Sequence, residues 1–250
     1  MSVILVTLAA YSFMSCSVKN FDPNDSSASF SSAHDTYKDG NYEMAINELR
    51  EFIARFPYSE HTATAELLIA NSYYELAQYE DAVFEYEQFL KLHPNHQEVE
   101  FVMFRIGDCY WREAPEDIDR EQEFTRRAIA EWQKLVKKFS SGKYTSDANK
   151  KMEEGWRRIA ENEQFIAQFY CKRKIFHACA SRYMNIIQKF GRYSDIKKNA
   201  QTQAARAFGR LAMIKTKHPD KIDNLFLKDY SAAQLSAKAK ELLKNAEEGK

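Results

Sequence analysis

The sequence predicts an all-α protein, an α-solenoid of about five helix–turn–helix repeats. Three observations predict it. Gly and Pro are scarce, 7 and 5 in 250 residues, as a chain of helices requires. Apolar residues recur at steps of three and four, the period of a helix with one buried face. A pattern of small, aromatic and proline positions also returns along the chain: Gly40 and Pro57 lie 37 residues before Ala77 and Pro94.

Residues 63–94 hold the clearest unit, read as two helices broken near Gln78. The first carries Leu67, Ile69, Ala70, Tyr73 and Tyr74, and the second Ala82, Val83, Tyr86, Phe89 and Leu90. Small Ala82 lets the two approach closely, and Pro94 ends the unit because it cannot donate to a continuing helix. These slots match the tetratricopeptide (TPR) repeat, with Glu66 standing where its consensus has Trp. One such repeat cannot bury its own apolar face, so others are expected. Upstream, Ala33, Tyr37, Gly40, Ala45, Leu49, Phe52 and Pro57 fall in the same slots. Downstream, Met103, Ile106, Gly107 and Tyr110 repeat the first helix. The second helix of that unit arrives late, as Ala128, Ile129, Trp132 and Leu135, after a charged insertion around Glu113 to Glu121. A fourth unit carries Ile166, Ala167 and Tyr170, then Phe176, Cys179, Tyr183 and Ile186. A fifth begins with Ala200, Ala204, Ala207 and Phe208, and a polar-faced helix from about Ser231 to Ala246 is expected to cap the array.

The N-terminal end reads differently. Residues 1–15 are apolar, too short to span a bilayer as a helix, and resemble the core of a secretory signal. Cys16 follows Phe-Met-Ser in the manner of a lipobox, whose cysteine is lipidated; Phe13 stands where such motifs usually carry Leu. Residues 16–28 are polar and serine-rich, with too little apolar surface to offset ordering, and read as a flexible tether. The expected organisation is a signal at 1–15, a lipidated cysteine and tether at 16–28, three repeats at 29–144, and two repeats with a capping helix at 145–250.

Several chemistries find no support. With 36 basic and 36 acidic residues the charge balances at zero, unlike a nucleic-acid binder with a concentrated basic surface. His93 and His96 sit on a proline-broken turn with no third ligand nearby, so no metal is expected. There is no glycine-rich phosphate loop and no nucleophile elbow, so neither a cofactor nor a catalytic residue is assigned. Cys179 occupies the small-residue slot of repeat four, which predicts a buried, inert thiol. Cys109 and Cys171 lie on first helices; Cys171 and Cys179 flank one turn, and whether they pair depends on a separation that spacing leaves open.

What remains is a binding surface. First-helix slots that usually face the groove of a TPR array hold Tyr37, Leu67, Asn71, Tyr74, Phe104, Asp108 and Trp111. Such an aromatic lining suits an extended or helical apolar peptide, with Asn71 bonding its backbone. The competing expectation is that Tyr74 and Trp111 pack between repeats.

Four stretches carry a more specific resemblance: DGNYEMAINELREFIARFPYSE, YEQFLKLHPNHQEVEFVMFRIGD, SGKYTSDANKKM and QFIAQFYCKRKIFHACASRYMNIIQKFG. The last joins a Tyr-rich helix end, a basic turn and an aromatic start to the next helix. Together they resemble the BamD family of outer-membrane lipoproteins, part of the β-barrel assembly (BAM) machinery. The resemblance implies a non-enzymatic scaffold, lipid-anchored through Cys16 on the periplasmic face of the outer membrane. It implies that the N-terminal repeats engage segments of unfolded outer-membrane proteins. The C-terminal repeats are implied to dock on a BamA-type barrel insertase, with other BAM lipoproteins as further partners. Arg182 matches the family arginine expected to pair with an acidic insertase residue. The alternative is another periplasmic TPR lipoprotein adaptor, such as a secretin pilotin or a cell-wall synthesis coordinator.

Overall fold

The structure is a computed structural model that describes residues 25–220 and 224–249. The expected signal, the lipidation site at Cys16 and most of the tether lie outside the described residues. Among the described residues the ordered elements are helices: α1 (Ser26–Lys38), α2 (Tyr42–Arg55), α3 (Thr62–Glu75), α4 (Tyr79–Leu92), α5 (Val99–Glu113), α6 (Glu123–Lys138), α7 (Thr145–Lys172), α8 (Phe176–Phe190), α9 (Ser194–Lys217), α10 (Leu225–Asp229) and α11 (Ala232–Glu248). The all-α repeat architecture is therefore as the sequence predicts. One boundary moves. Asp25 caps α1, its Oδ1 accepting from the backbone N–H of Ser27 at 2.9 Å and Ala28 at 3.1 Å, so helix begins three residues inside the expected tether.

The backbone groups into two compact units, one up to Ile69 and one from Ala70 onward. In the first, α1 packs on α2. Phe30 and Ala33 meet a face of Ala45, Ile46, Leu49 and Phe52, all buried. Phe30 is held between rings, 5.6 Å from Phe52 and stacked 4.6 Å from His61. In the second unit each helix packs on the next, α4 on α5 through to α8 on α9. One buried cluster runs through Ile129, Tyr183, Ile186, Phe208 and Leu211, and a smaller one gathers Ala128, Trp132, Leu135 and Ala148. The expected C-terminal helix is present as α11, with Ser231 and Gln234 forming a capping box. It lies along α9 through buried Leu235 and Leu242, and so supplies the second helix that repeat five lacked in the sequence pattern.

The repeat is most visible in its turns. At α1–α2 the backbone N–H groups of Asp39, Gly40 and Asn41 donate to Asp35, Tyr37 and Thr36. At α3–α4 those of Leu76, Ala77 and Gln78 donate to Ser72, Tyr74 and Tyr73; at α7–α8 those of Arg173, Lys174 and Ile175 donate to Phe169, Cys171 and Tyr170. All three turns close through one residue in the left-handed region: Gly40 at φ 79, Ala77 at φ 57 and Lys174 at φ 61. Tyr37, Tyr74 and Cys171 are thus equivalent, as are Ala45, Ala82 and Cys179. The last set holds small, buried residues.

Candidate partner-binding site

The first-helix residues of the second unit converge on Asp108. This carboxylate is 6% exposed and on α5. Tyr74 Oη, from the C-terminal half of α3, donates to its Oδ2 at 2.5 Å. Lys151 Nζ, from α7, reaches its Oδ1 at 3.0 Å, and Arg112 Nε stands 3.8 Å from Oδ2 one turn along α5. Burial alone raises the carboxyl pKa. The Tyr74 and Lys151 hydrogen bonds and the charges of Lys151 and Arg112 outweigh it and hold Asp108 below the usual carboxylate range. Tyr74 responds in the opposite sense: burial first, then its bond to Asp108, pushes the phenol up to about 12.

Rings and cations surround this centre. The Arg105 guanidinium lies 4.0 Å over the Tyr74 ring, and that of Arg158 4.0 Å over Trp111. Lys151 Nζ is 5.7 Å from the Trp111 ring and 5.6 Å from Trp132. Trp132 is fully buried and its indole N–H donates to the Phe104 carbonyl at 3.2 Å. Only glycine fits at 107, since a Cβ there would stand 2.4 Å from Trp132 Nε1. That steric demand is the reason for the small slot that the sequence pattern showed.

The seven surface candidates separate on this geometry. Tyr74 and Asp108 are buried and bonded to each other. Trp111 packs between α5 and α7 yet stays partly exposed, as does Phe104, which stacks on Tyr144 at 5.3 Å. Asn71 is half-buried and its Oδ1 accepts from Tyr86 Oη at 2.6 Å, which leaves its amide hydrogens as the donors for a backbone. In the first unit Tyr37 is half-buried, with its ring edge-on to Tyr42 at 5.5 Å, and Leu67 is buried. The sequence pattern did not single out Arg105, Arg112, Lys151 or Arg158. Each stands three or four residues from a candidate on its own helix or faces one across two, a relation that periodicity alone does not reveal.

Arg182 lies on α8, 38% exposed, with Nη1 3.1 Å from Glu163 Oε2 and its guanidinium 5.3 Å over the Tyr170 ring. It is therefore half-committed to an internal carboxylate rather than freely solvated. Just beside it the cysteine expectation is corrected. Cys179 is no free thiol but is disulfide-bonded to Cys171, with the Cα atoms 5.1 Å apart. The reason is the turn: it closes through left-handed Lys174 and brings positions 171 and 179, on either side of it, within disulfide reach. Cys109 is a buried free thiol, pushed up to about 12 chiefly by burial and so unreactive. The charged insertion after α5 is tied down. Asn162 Nδ2 donates to the carbonyls of Ile118 at 2.6 Å and Arg120 at 3.1 Å, and buried Gln122 donates to Asp117 and Arg120. Among the described residues no cluster of His, Cys, Asp or Glu is arranged for a metal, and no helix is long and apolar enough to cross a membrane.

Comparison with known proteins agrees with this array. The outer membrane protein assembly factor BamD of Neisseria meningitidis serogroup A is 28% identical over 170 residues, covering 64% of this chain and 64% of that protein. BamD of Caulobacter vibrioides is 24% identical over 160 residues, 64% of this chain and 52% of its own length. BamD of Vibrio cholerae is 23% identical over 183 residues, 70% of this chain and 76% of its own length. The chain thus spans 64% of the length of the Neisseria relative, less than two thirds. The model of the YfiO family, described as outer membrane lipoprotein, matches residues 22–221. With four-fifths of its length inside that match, the chain belongs to the YfiO family of outer membrane lipoproteins.

Proposed function

We propose that the chain is a non-enzymatic scaffold of the outer-membrane β-barrel assembly machinery, binding segments of unfolded outer-membrane proteins and a BamA-type insertase. The observation that carries this reading is the family match across residues 22–221, which takes in α1 to α9, together with the assembly-factor role named for its BamD relatives. A disulfide suits an oxidising compartment such as the periplasm. The lipid anchor is assigned to Cys16, on the periplasmic face of the outer membrane, where other BAM lipoproteins are further partners.

Within this reading the half-exposed Phe104 and Trp111 and the amide of Asn71 are the peptide contacts, with Tyr37 and Leu67 serving the first unit. Tyr74 and Asp108 fix the cations Arg112 and Lys151 beside them. Arg182 is the donor to an acidic insertase residue, exchanging Glu163 for the partner's carboxylate. The test is Arg182→Glu in the full-length protein. Retained helicity and melting temperature with at least tenfold weaker binding to the purified insertase is the expected result. Unchanged binding removes Arg182 from the interface. Recovery of a secretin or cell-wall synthases instead of the insertase in a mild-detergent pull-down overturns the assembly role itself.

A further inference from the structure

Among the described residues Cys109 is a buried free thiol, while Cys171 and Cys179 are joined. The joined pair is asymmetric. Cys171 lies in the last turn of α7 and is partly exposed; Cys179 lies in the first turn of α8 and is 1% exposed. A molecule in solvent therefore reaches the bond at the Cys171 sulfur. The turn between them does not need the bond. The α1–α2 and α3–α4 turns make the same hydrogen bonds with Tyr37/Ala45 and Tyr74/Ala82 in place of the cysteine pair. Backbone hydrogen bonds thus hold positions 171 and 179 close while both thiols are free.

The exposed sulfur stands in a positive field. Lys172, Arg173 and Lys174 follow Cys171 directly, all three exposed, with no carboxylate in ion-pair reach among the described residues. Between Glu163 and Asp195 the chain has no Asp or Glu, and Glu163 is itself met by Arg126 and Arg182. Arg173 is held 5.2 Å over the Phe169 ring, so its charge stays at the turn. Such a field concentrates anions at Cys171 and repels cations.

We propose that Cys171 is the entry sulfur of a thiol–disulfide exchange site that takes an anionic disulfide, with buried Cys179 as the resolving thiol. The assignment holds whichever partner Arg182 meets.

The exchange balances in two steps. The Cys171 thiolate attacks one sulfur of the incoming disulfide. The sulfur–sulfur bond of that molecule breaks, and its other sulfur leaves as a thiolate. The Cys179 thiolate then attacks the Cys171 sulfur. The mixed disulfide breaks, the Cys171–Cys179 bond forms, and the second sulfur of the partner leaves. The two cysteines lose two electrons and two protons, and the partner disulfide is reduced to two thiols. The turn keeps Cys179 beside Cys171 throughout, so the second step is intramolecular and fast. The same placement protects the product. A reducing thiol meets only Cys171, and the Cys179 thiol recaptures that sulfur before a second reductant arrives.

The test starts from the reduced full-length Cys179→Ala protein in mild detergent, which stops the exchange at its first step. Oxidised glutathione is expected to add to Cys171, located by peptide mass spectrometry, at least about tenfold faster than to Cys179 in Cys171→Ser. Equal rates overturn Cys171 as the entry sulfur. The field is read as the ratio of the rates with oxidised glutathione and with cationic cystamine. The thiolate fraction and any opening of the turn cancel in that ratio, so a folding change does not imitate the effect. Lys172→Gln/Arg173→Gln/Lys174→Gln is expected to lower the ratio about tenfold, and high salt to shrink the difference. An unchanged ratio overturns the anionic preference. In reduced wild type the glutathione adduct should be transient and the Cys171–Cys179 bond the product; a lasting adduct on Cys171 overturns Cys179 as the resolving thiol. Protein disulfide isomerase in catalytic amount separates the two sources of such a disulfide. Closure at least about tenfold faster than with glutathione alone assigns an oxidoreductase, and no acceleration assigns a small disulfide.

Discussion

Two clusters of charge and aromatic rings lie on neighbouring repeats and are organised in opposite ways. Around Asp108 a single carboxylate is surrounded by Tyr74, Lys151 and Arg112, and it sits beneath the surface. At the α7–α8 turn Lys172, Arg173 and Lys174 are exposed with no carboxylate beside them. The first cluster is closed on itself and holds helices together. The second is open and offers its charge outward. A charged residue in a groove-facing slot is therefore no evidence of a binding role until its partners are counted. Asp108 was expected from its groove-facing slot and Arg182 from the family resemblance, yet the first is buried under three partners and the second is 38% exposed beside Glu163.

The sharpest way to break this comparison is Asp108→Ala. If the cluster is closed, the variant leaves Tyr74, Lys151 and Arg112 facing an empty acceptor site. The expected loss is about 3 kcal/mol, tempered by the partial exposure of Lys151 and Arg112, and urea unfolding measures it. The pH dependence gives a second check. The folded carboxyl sits below its ordinary pKa, so its stabilisation is full above the unfolded value of about 4 and is lost as pH falls through the folded one. The gap between wild type and Asp108→Ala should therefore narrow in acid. A variant as stable as wild type at neutral pH would mean that the cluster is not structural.

Next in size is the cross-link. Cys171 and Cys179 are 8 residues apart, and in the chain-entropy picture closing so short a loop is worth about 2.5 kcal/mol. Cys171→Ser/Cys179→Ala places at 179 the alanine that stands at 45 and 82. Packing is thereby kept, and the variant isolates the bond. Hydrogen exchange should rise at the α7–α8 turn and stay unchanged around Asp108. Equal rises in both places would show that the two clusters are not independent.

A third test reads the closed cluster from its other side. Tyr74 is raised to about 12, against about 10 when unfolded, so its contribution is whole below pH 10 and is lost as pH rises toward 12. The loss amounts to about 3 kcal/mol. Tyr74→Phe removes this titration, so the stability of the variant should fall less steeply than that of wild type between those pH values. Parallel curves would place the Tyr74 proton elsewhere than on Asp108.

Much of the fold was legible because TPR packing writes itself into spacing. Ala33, Ala70 and Gly107 recur as small buried residues at one spacing, and at 107 the approach of Trp132 gives the physical reason. The site was less legible. Periodicity places Tyr74 and Asp108 on the same face as Phe104, but depth beneath that face depends on what neighbouring helices lay over it, here Lys151 from α7 and Arg105 over the ring. The Cys171–Cys179 pair was visible as spacing, yet deciding that the two bond required aligning their turn with those at Gly40 and Ala77. The helix that completes repeat five was predicted as a helix, while its packing along α9 depends on contacts across an intervening loop that no period encodes.

The smallest expected effect discriminates most finely. Ala77 and Lys174 close equivalent turns in the left-handed region, where a side chain costs about 1 kcal/mol and where the first repeat uses Gly40. Ala77→Gly and Lys174→Gly should each raise stability by about 0.5–1 kcal/mol, a shift that thermal melting resolves. The turns then diverge. At Ala77 the backbone gain is the whole effect, so the preference of Cys171 for oxidised glutathione over cystamine, read in the Cys179→Ala protein, should not move. At Lys174 the same gain comes with the loss of an open cation, so stability should rise while that preference falls. Opposite signs in one variant cannot arise from a folding defect. A Lys174→Gly protein that melts higher and keeps the full preference would leave Lys174 with a structural role alone.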